Sequence, residues 1–200
     1  MRDFFTWMNE TPWSIALRES FVVWPVLEAT HVLTIMLFVG TIIMVDLRLL
    51  GVAFRQLPVS EMTARILPWT IGGFVIMMVT GLLLFYAKPL VYYHNIFFRI
   101  KIIALLLAMA NILYFHKRVQ SNLPAWDLSQ SIPRNARIAA AVSLSAWIAI
   151  VISGRMIAYD WYNCEKLEPE SALSWMIDCP QRDNLAAMQM PQPALAGEAD

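Results

Sequence analysis

Charged residues are scarce in this sequence. Lysine, arginine, aspartate and glutamate together make up 15% of the 200 residues, whereas 58% are hydrophobic. A soluble globular domain is about a quarter charged and about half apolar, so this balance excludes the ordinary soluble class. The sequence also lacks a nucleophile elbow, an HExxH motif and a Gly-rich nucleotide loop. We therefore expect no soluble-enzyme site and no nucleic-acid partner.

Long apolar runs are what the sequence has instead. Four of them lie at about 22–45, 68–87, 96–115 and 138–159. Each approaches the roughly 20 residues that a helix needs to cross the hydrocarbon core of a bilayer. The sequence thus predicts an all-α integral membrane protein with a four-helix bundle over residues 21–160.

Both ends of the chain differ from this bundle. Residues 1–20 lack the basic start and cleavage site of a signal peptide, so we expect them to be retained. Their aromatic and aliphatic residues alternate with charges, which suits a helix in the membrane interface, and a plain surface segment is the alternative. Residues 161–200 form a small extension, which beyond about Leu185 is predicted to be flexible or packed on a partner.

The basic residues predict the orientation, because Lys and Arg concentrate in cytoplasmic loops. The connections between spans one and two and between spans three and four hold Arg48, Arg55, Arg65, Lys117, Arg118, Arg134 and Arg137. Most acids lie in the C-terminal tail, so both termini are predicted to be periplasmic. The only cysteines, Cys164 and Cys179, also lie there. We interpret them as a disulfide, which an oxidising compartment allows, rather than as two free thiols. The chain is therefore assigned to a bacterial inner membrane.

The stretch LEATHVL places an acid and a histidine inside the first span. Ionisable groups in hydrocarbon are costly and usually functional. Glu28 and His31 lie three residues apart and so share one helix face, where the acid can orient the imidazole as a ligand histidine requires. A pair that only shares a proton, a proton relay, and a histidine bonded to a neighbouring helix are the alternatives.

Other polar residues are predicted at the same membrane depth. The third span begins beside His94 and brings Lys101 to that leaflet, and the fourth delivers Arg155. A histidine, a nearby acid and several cations are typical of a b-type haem pocket, in which imidazoles bind iron and cations meet the propionates. The plainer alternatives are snorkelling of Lys101 and Arg155 and an exposed loop position for His94.

A third histidine, His116, lies near the opposite membrane surface. At about 1.5 Å per residue, His31 is roughly 8 Å and His94 roughly 18 Å outside the midplane, and His116 is roughly 15 Å inside it. His31 and His116 therefore do not suit one iron. His116 belongs either to a second, inner haem site near Asp46 and Arg48 or to the interface without a ligand.

The chain resembles an uncharacterised family of bacterial four-span inner-membrane proteins. The resemblance covers roughly residues 24–159 and is carried by LEATHVL, MVDLRLLG, LPWTIGGF with a later TG, NIFFRIK, NILYFH and SLSAWIAIVISGRMIAY. It implies a role for His31, His116 and Arg155 ahead of His94. More loosely, the architecture is similar to membrane cytochromes b and to copper resistance protein D, although fold alone does not establish function.

These observations favour one or two b-type haems held by His31, His116 and His94, which would make the chain a membrane oxidoreductase or electron-transfer subunit. Quinol or a periplasmic redox protein is the expected partner, and a homo-oligomer is an open alternative. Copper handling is a second hypothesis, because Glu28, two histidines and the tail's MQM include copper ligands. A non-catalytic assembly subunit and a proton-coupled transporter are the others.

Overall fold

The computed structural model describes residues 2–119, 127, 132–159, 162, 164, 167–168, 171–177 and 179. The regular secondary structure of these residues is helical: α1 (Arg2–Asn9), α2 (Pro12–Glu19), α3 (Val23–Leu50), α4 (Val59–Ala87), α5 (Pro89–Tyr93), α6 (Ile96–Tyr114) with a π-helical turn (Phe115–Val119), α7 (Arg134–Ile157) and α8 (Ala172–Met176). The predicted all-α class is confirmed for this part of the chain.

Four of these helices, α3, α4, α6 and α7, are long and apolar enough to cross a membrane, as the sequence predicted. They extend beyond the apolar runs. The second membrane-length helix, α4, begins nine residues before the predicted position 68. Pro58 precedes its first residue, and Pro68 is accommodated inside it. The third continues into the π-helical turn as far as Arg118.

Adjacent helices along the chain run antiparallel, which gives the bundle two ends. We call the end at which α3 and α6 begin the terminal face, and the end at which α3 and α6 finish the loop face. Local signals set these ends: Gly51 closes α3 in a left-handed conformation with φ of 73°, and the Asn95 side chain accepts the Phe97 and Phe98 N–H groups at the start of α6. A residue without a Cβ is favoured at the first position, and a short polar side chain at the second.

A close approach joins α3 to α4. An added Cβ on Gly73 would lie 3.3 Å from both the Cβ and the backbone nitrogen of Phe38. Three residues nearer the start of α4, Thr70 donates a hydrogen bond of 2.9 Å to Thr41. Small residues allow membrane helices to pack at such distances, where lipid removes the hydrophobic drive.

The centre of the bundle is an apolar layer. Phe38 meets Trp147 of α7 edge-on at 4.9 Å between ring centroids, and Met77, Ala104 and Ala108 complete the cluster. α3 packs against α4 and α7, and α6 packs against α7, whereas α4 and α6 have few close approaches. The two sides of the bundle are therefore joined mainly through α3 and α7.

The N-terminal helices pack on the terminal face. Thr11 hydrogen-bonds the Tyr86 hydroxyl at 2.8 Å, and Ser14, which is fully buried, donates to the Ala87 carbonyl at 3.1 Å. Phe5 of α1 lies 4.9 Å from Tyr93 between ring centroids. These contacts attach α1 and α2 to the end of α4 and to α5.

The C-terminal extension is described only in part. The sulfurs of Cys164 and Cys179 lie 2.10 Å apart, which confirms the predicted disulfide. Between them, α8 leads to Ile177, whose side chain is fully buried and whose carbonyl accepts a hydrogen bond of 2.9 Å from His94 Nδ1. The predicted change of character beyond about Leu185 and the MQM stretch lie outside the described residues.

At the loop face, Asp127 connects the α6–α7 segment to the start of α4. Its carboxylate accepts the backbone N–H of Ser60 at 2.9 Å and also the Ser60 hydroxyl. Slight burial raises the pKa of Asp127, but the Ser60 and Val59 hydrogen bonds and the charge of Arg48 outweigh it and lower the pKa below its usual value. The ionised carboxylate is the form that makes these contacts.

Candidate functional site

His31 projects from α3 towards α4 in the half of the bundle nearer the terminal face. Its Nδ1 lies 2.9 Å from the Thr80 hydroxyl. Thr80 is buried, and its hydroxyl donates to the Ile76 carbonyl at 2.7 Å, with the Met77 carbonyl at 3.1 Å. The imidazole is therefore joined to the α4 backbone through one threonine.

This hydrogen-bond network assigns the tautomer of His31. A hydroxyl has one proton, and Thr80 directs its proton to a backbone carbonyl. With its proton on that carbonyl, Thr80 accepts from His31, and on this basis we assign the imidazole proton to Nδ1. The Met77 carbonyl, which also faces the imidazole, is consistent with a donor there. Nε2 consequently keeps its lone pair, which is the state in which an imidazole binds a metal or accepts a proton.

A glycine gives the imidazole its space. An added Cβ on Gly81 would lie 3.1 Å from His31 Cε1, which is closer than ordinary contacts, and 3.7 Å from Nδ1. Any larger residue at this position would press on the ring. The dipeptide Thr80–Gly81 thus supplies both the hydrogen-bond acceptor and the room for the side chain.

Lys101 is the cation whose charge acts on His31. Its charge interacts with His31 across the bundle, and its ammonium lies 3.4 Å from the place that a Cβ on Gly154 would occupy. It forms no ion pair with any residue that the structure describes. A half-buried cation without an acid beside it suits an anionic group of a ligand.

Glu28 is not joined to His31. The carboxylate is exposed, and within the described residues no ion pair links it to the imidazole. It lies near Tyr92 instead: burial and the negative charge of Glu28 both raise the pKa of that tyrosine. The hydrogen-bonding neighbour of His31 is therefore Thr80 and not Glu28.

The other two histidines lie apart from His31. His94 binds the Ile177 carbonyl and so connects α5 to the disulfide-closed extension. His116 is exposed on the π-helical turn and bonds the Ile112 carbonyl of its own helix at 3.1 Å. Arg155 is also exposed, with its Nη2 3.1 Å from the Tyr159 hydroxyl. Of the predicted site residues, the structure therefore brings only His31 and Lys101 together.

The described residues contain no group of three or more His, Cys, Asp or Glu side chains placed to share a metal. Two shallow apolar grooves lie at the terminal half of the bundle. One of about 300 Å³ is lined by α2, α3 and α4, and one of about 280 Å³ runs along α3 to Thr80. These volumes are at the lower end of the range for small-molecule sites.

Sequence reasoning did not identify Thr80 and Gly154 as site residues. In the sequence, the TG dipeptide of α4 stands out as part of the family resemblance and, through Gly81, as a small residue for helix packing, because nothing in a single sequence shows which residue of another helix faces His31. A helical wheel gives the face of Thr80 but not its partner.

Comparison with known proteins shows what this helix bundle belongs to. Residues 5–160 match a family described as a family of unknown function, DUF6644, and the chain belongs to that family. This agrees with the expected membership in an uncharacterised family. Neither the curated proteins nor the solved structures include a match.

Proposed function

We propose that this protein is a b-type haem protein of the bacterial inner membrane that passes electrons within or across the bilayer. The observation that carries the proposal is the state of His31. Its Nδ1–H donates a hydrogen bond to the Thr80 hydroxyl, so its Nε2 carries no proton inside a membrane helix bundle. An imidazole held in this way, with its other nitrogen hydrogen-bonded, is the usual form of a histidine that binds a metal.

The donor set fits a single protein ligand to the iron. His94 and His116 also use Nδ1 for a hydrogen bond, but they lie in other parts of the bundle, so His31 is the histidine that would hold the iron in this proposal. Lys101 would meet a propionate, as cations do in haem sites.

When bound, a haem supplies one-electron redox chemistry, and the protein supplies position and charge. Thr80 keeps the proton on Nδ1 and fixes the ring plane. Gly81 lets the ring lie against α4. The ammonium of Lys101 favours an added negative charge nearby, which bears on the reduction potential of any redox group at this position.

We place both termini in the periplasm. The basic side chains of the α3–α4 and α6–α7 connections lie at the loop face, as the positive-inside rule requires of a cytoplasmic surface. The disulfide of the extension lies beyond the end of α7, where an oxidising compartment is needed. In this orientation α1 and α2 would lie at the periplasmic interface, where quinol or a periplasmic redox protein would meet the site.

The decisive experiment is an optical spectrum of the purified protein in its oxidised and reduced states. We expect a Soret band that shifts on reduction and that His31→Ala removes. His116→Ala is the matched control: this histidine is exposed at the opposite end of the bundle and should keep the band. Protein without Soret absorption, and with none restored by added haem, contradicts the proposal.

An assembly subunit is the second candidate, and one observation favours it. Thr80 and Gly81 already account for the polar and steric needs of the imidazole. In that case His31→Ala changes oligomeric state or stability without any redox or metal phenotype. Copper at stoichiometric levels without iron would instead support the copper-handling hypothesis.

A further inference from the structure

A second ionisable side chain is buried inside the bundle, far from His31. Asp46 of α3 is only 5% exposed and lies four residues before the end of its helix, about 6 Å from the loop face at 1.5 Å per residue. It points between α3 and α7, where the Ser143 hydroxyl is its hydrogen-bonding neighbour. The Phe38–Trp147 layer separates it from His31.

One carboxylate oxygen of Asp46 has no hydrogen-bond partner. Among the described residues, Oδ2 is the buried side-chain oxygen or nitrogen that is left unpaired. Buried polar atoms are nearly always hydrogen-bonded, and an exception needs a physical explanation. An ionised carboxylate at this position would also be a buried charge in a membrane helix bundle, the most costly state available to the group.

No cation faces Asp46 from its own helix. Arg48, two residues further along α3, is buried as well, but its Nε donates to the Leu57 carbonyl at 2.7 Å and its charge acts on Asp127. Arg48 therefore makes its polar contacts at the loop face. An aspartate and an arginine two residues apart lie on different sides of a helix, which agrees with their separate partners.

The neighbouring helices supply no counter-ion either. On α4, the residues nearest this level are Arg65 and Glu61, which are exposed and pair with each other at 2.6 Å. On α6, Asn111 faces α7 and donates to the Ala139 carbonyl at 2.9 Å. On α7, the group that faces Asp46 is the neutral Ser143.

We propose that Asp46 is a proton-binding site that is loaded from the loop face. One proton from water at that face bonds to the carboxylate, which becomes a neutral carboxylic acid, and no electrons are exchanged. Neutralisation removes the buried charge, which no cation of the described residues balances. The proposal does not depend on haem, because the site lies on the other side of the apolar layer and uses none of the residues around His31.

Infrared difference spectroscopy of the full-length protein in lipid tests the proposal directly. A protonated carboxylic acid has a C=O stretching band that a carboxylate lacks. We expect this band at neutral pH, and we expect it to disappear as the pH is raised. Asp46→Asn should abolish it, since asparagine has the shape of the neutral acid and should leave the fold intact. Asp127→Asn, which removes a partly exposed acid at the same face, should leave it unchanged.

Ser143→Ala provides a second, independent test of the proposal. Removing the neighbouring hydroxyl should shift the frequency of the band without abolishing it, because the acid remains while its hydrogen bond is lost. Absence of the band from the wild-type protein at neutral pH overturns the proposal. So does a band that persists in Asp46→Asn, or one that Ser143→Ala leaves at its original frequency.

Discussion

The contact between Gly73 and Phe38 can be tested with two adjacent glycines of α4. A Cβ on Gly73 would meet the Phe38 backbone nitrogen at 3.3 Å, inside the 3.4 Å at which ordinary contacts begin, whereas a Cβ on Gly72 meets nothing within 4 Å. Backbone cannot rotate away as a side chain can. In Gly73→Ala, α3 and α4 must therefore separate by a few tenths of an ångström.

The magnitude follows from two opposing effects. Both substitutions replace glycine with alanine inside a helix, which stabilises the helix by up to about 1 kcal/mol. Only Gly73→Ala adds overpacking, which costs about 1–3 kcal/mol in a packed core. Because the helix term cancels between the two variants, Gly73→Ala should be less stable than Gly72→Ala by about 1–3 kcal/mol.

The assay is unfolding in mixed detergent micelles, followed by tryptophan fluorescence, since Trp147 packs edge-on against Phe38. The free energies of unfolding of the two variants are compared under the same conditions. Equal values would refute the close approach of α3 and α4 on which the placement of His31 beside α4 depends.

Further predictions concern the site, the extension and the loop face. Thr80→Val keeps the side-chain shape but removes the acceptor for Nδ1–H, so it should weaken haem binding or shift the reduction potential; an unchanged redox titration would count against the assigned tautomer. Cys164 and Cys179 should react with a membrane-impermeant maleimide in intact spheroplasts only after reduction, and labelling without reduction would argue against the disulfide. Because the pKa of Asp127 is lowered, its ionised carboxylate stabilises the folded state at pH values above the usual aspartate pKa. This stabilisation is lost as the pH falls through the lowered value. Protection of the Ser60 amide from hydrogen exchange, corrected for intrinsic rates, should fall over that acidic range and also in Asp127→Asn at neutral pH.

The four membrane helices could be predicted because their signal is local. Each needs a run of apolar residues long enough for the bilayer, and such a run is visible without knowledge of its neighbours. The disulfide could be predicted for a similar reason, since two cysteines allow one pairing. The helix ends were less well predicted: the second apolar run begins at about position 68, yet α4 begins at Val59 and continues through Pro68.

The site could be predicted only in part. His31 was identified because a histidine in an apolar run is conspicuous by itself. Its partner was not, since Glu28 and His31 share a helix face in sequence terms, but α3 turns Glu28 to the exterior while His31 faces α4. The sequence predicted Asp46 only as a neighbour of a possible inner haem. Its buried oxygen, unpaired among the described residues, depends on the packing of α7 against α3.

The sequence by itself determined that this chain has four helices long and apolar enough to cross a membrane and an extension closed by its two cysteines, because length, apolarity and cysteine count are properties of single segments. The tertiary structure alone decided that Thr80 and Gly81 contact His31, that the charge of Lys101 acts on it, and that Asp46 is buried without a counter-ion among the residues that the structure describes. These are relations between helices. They depend on how each helix is rotated about its axis, which packing between surfaces sets and which no single apolar run contains.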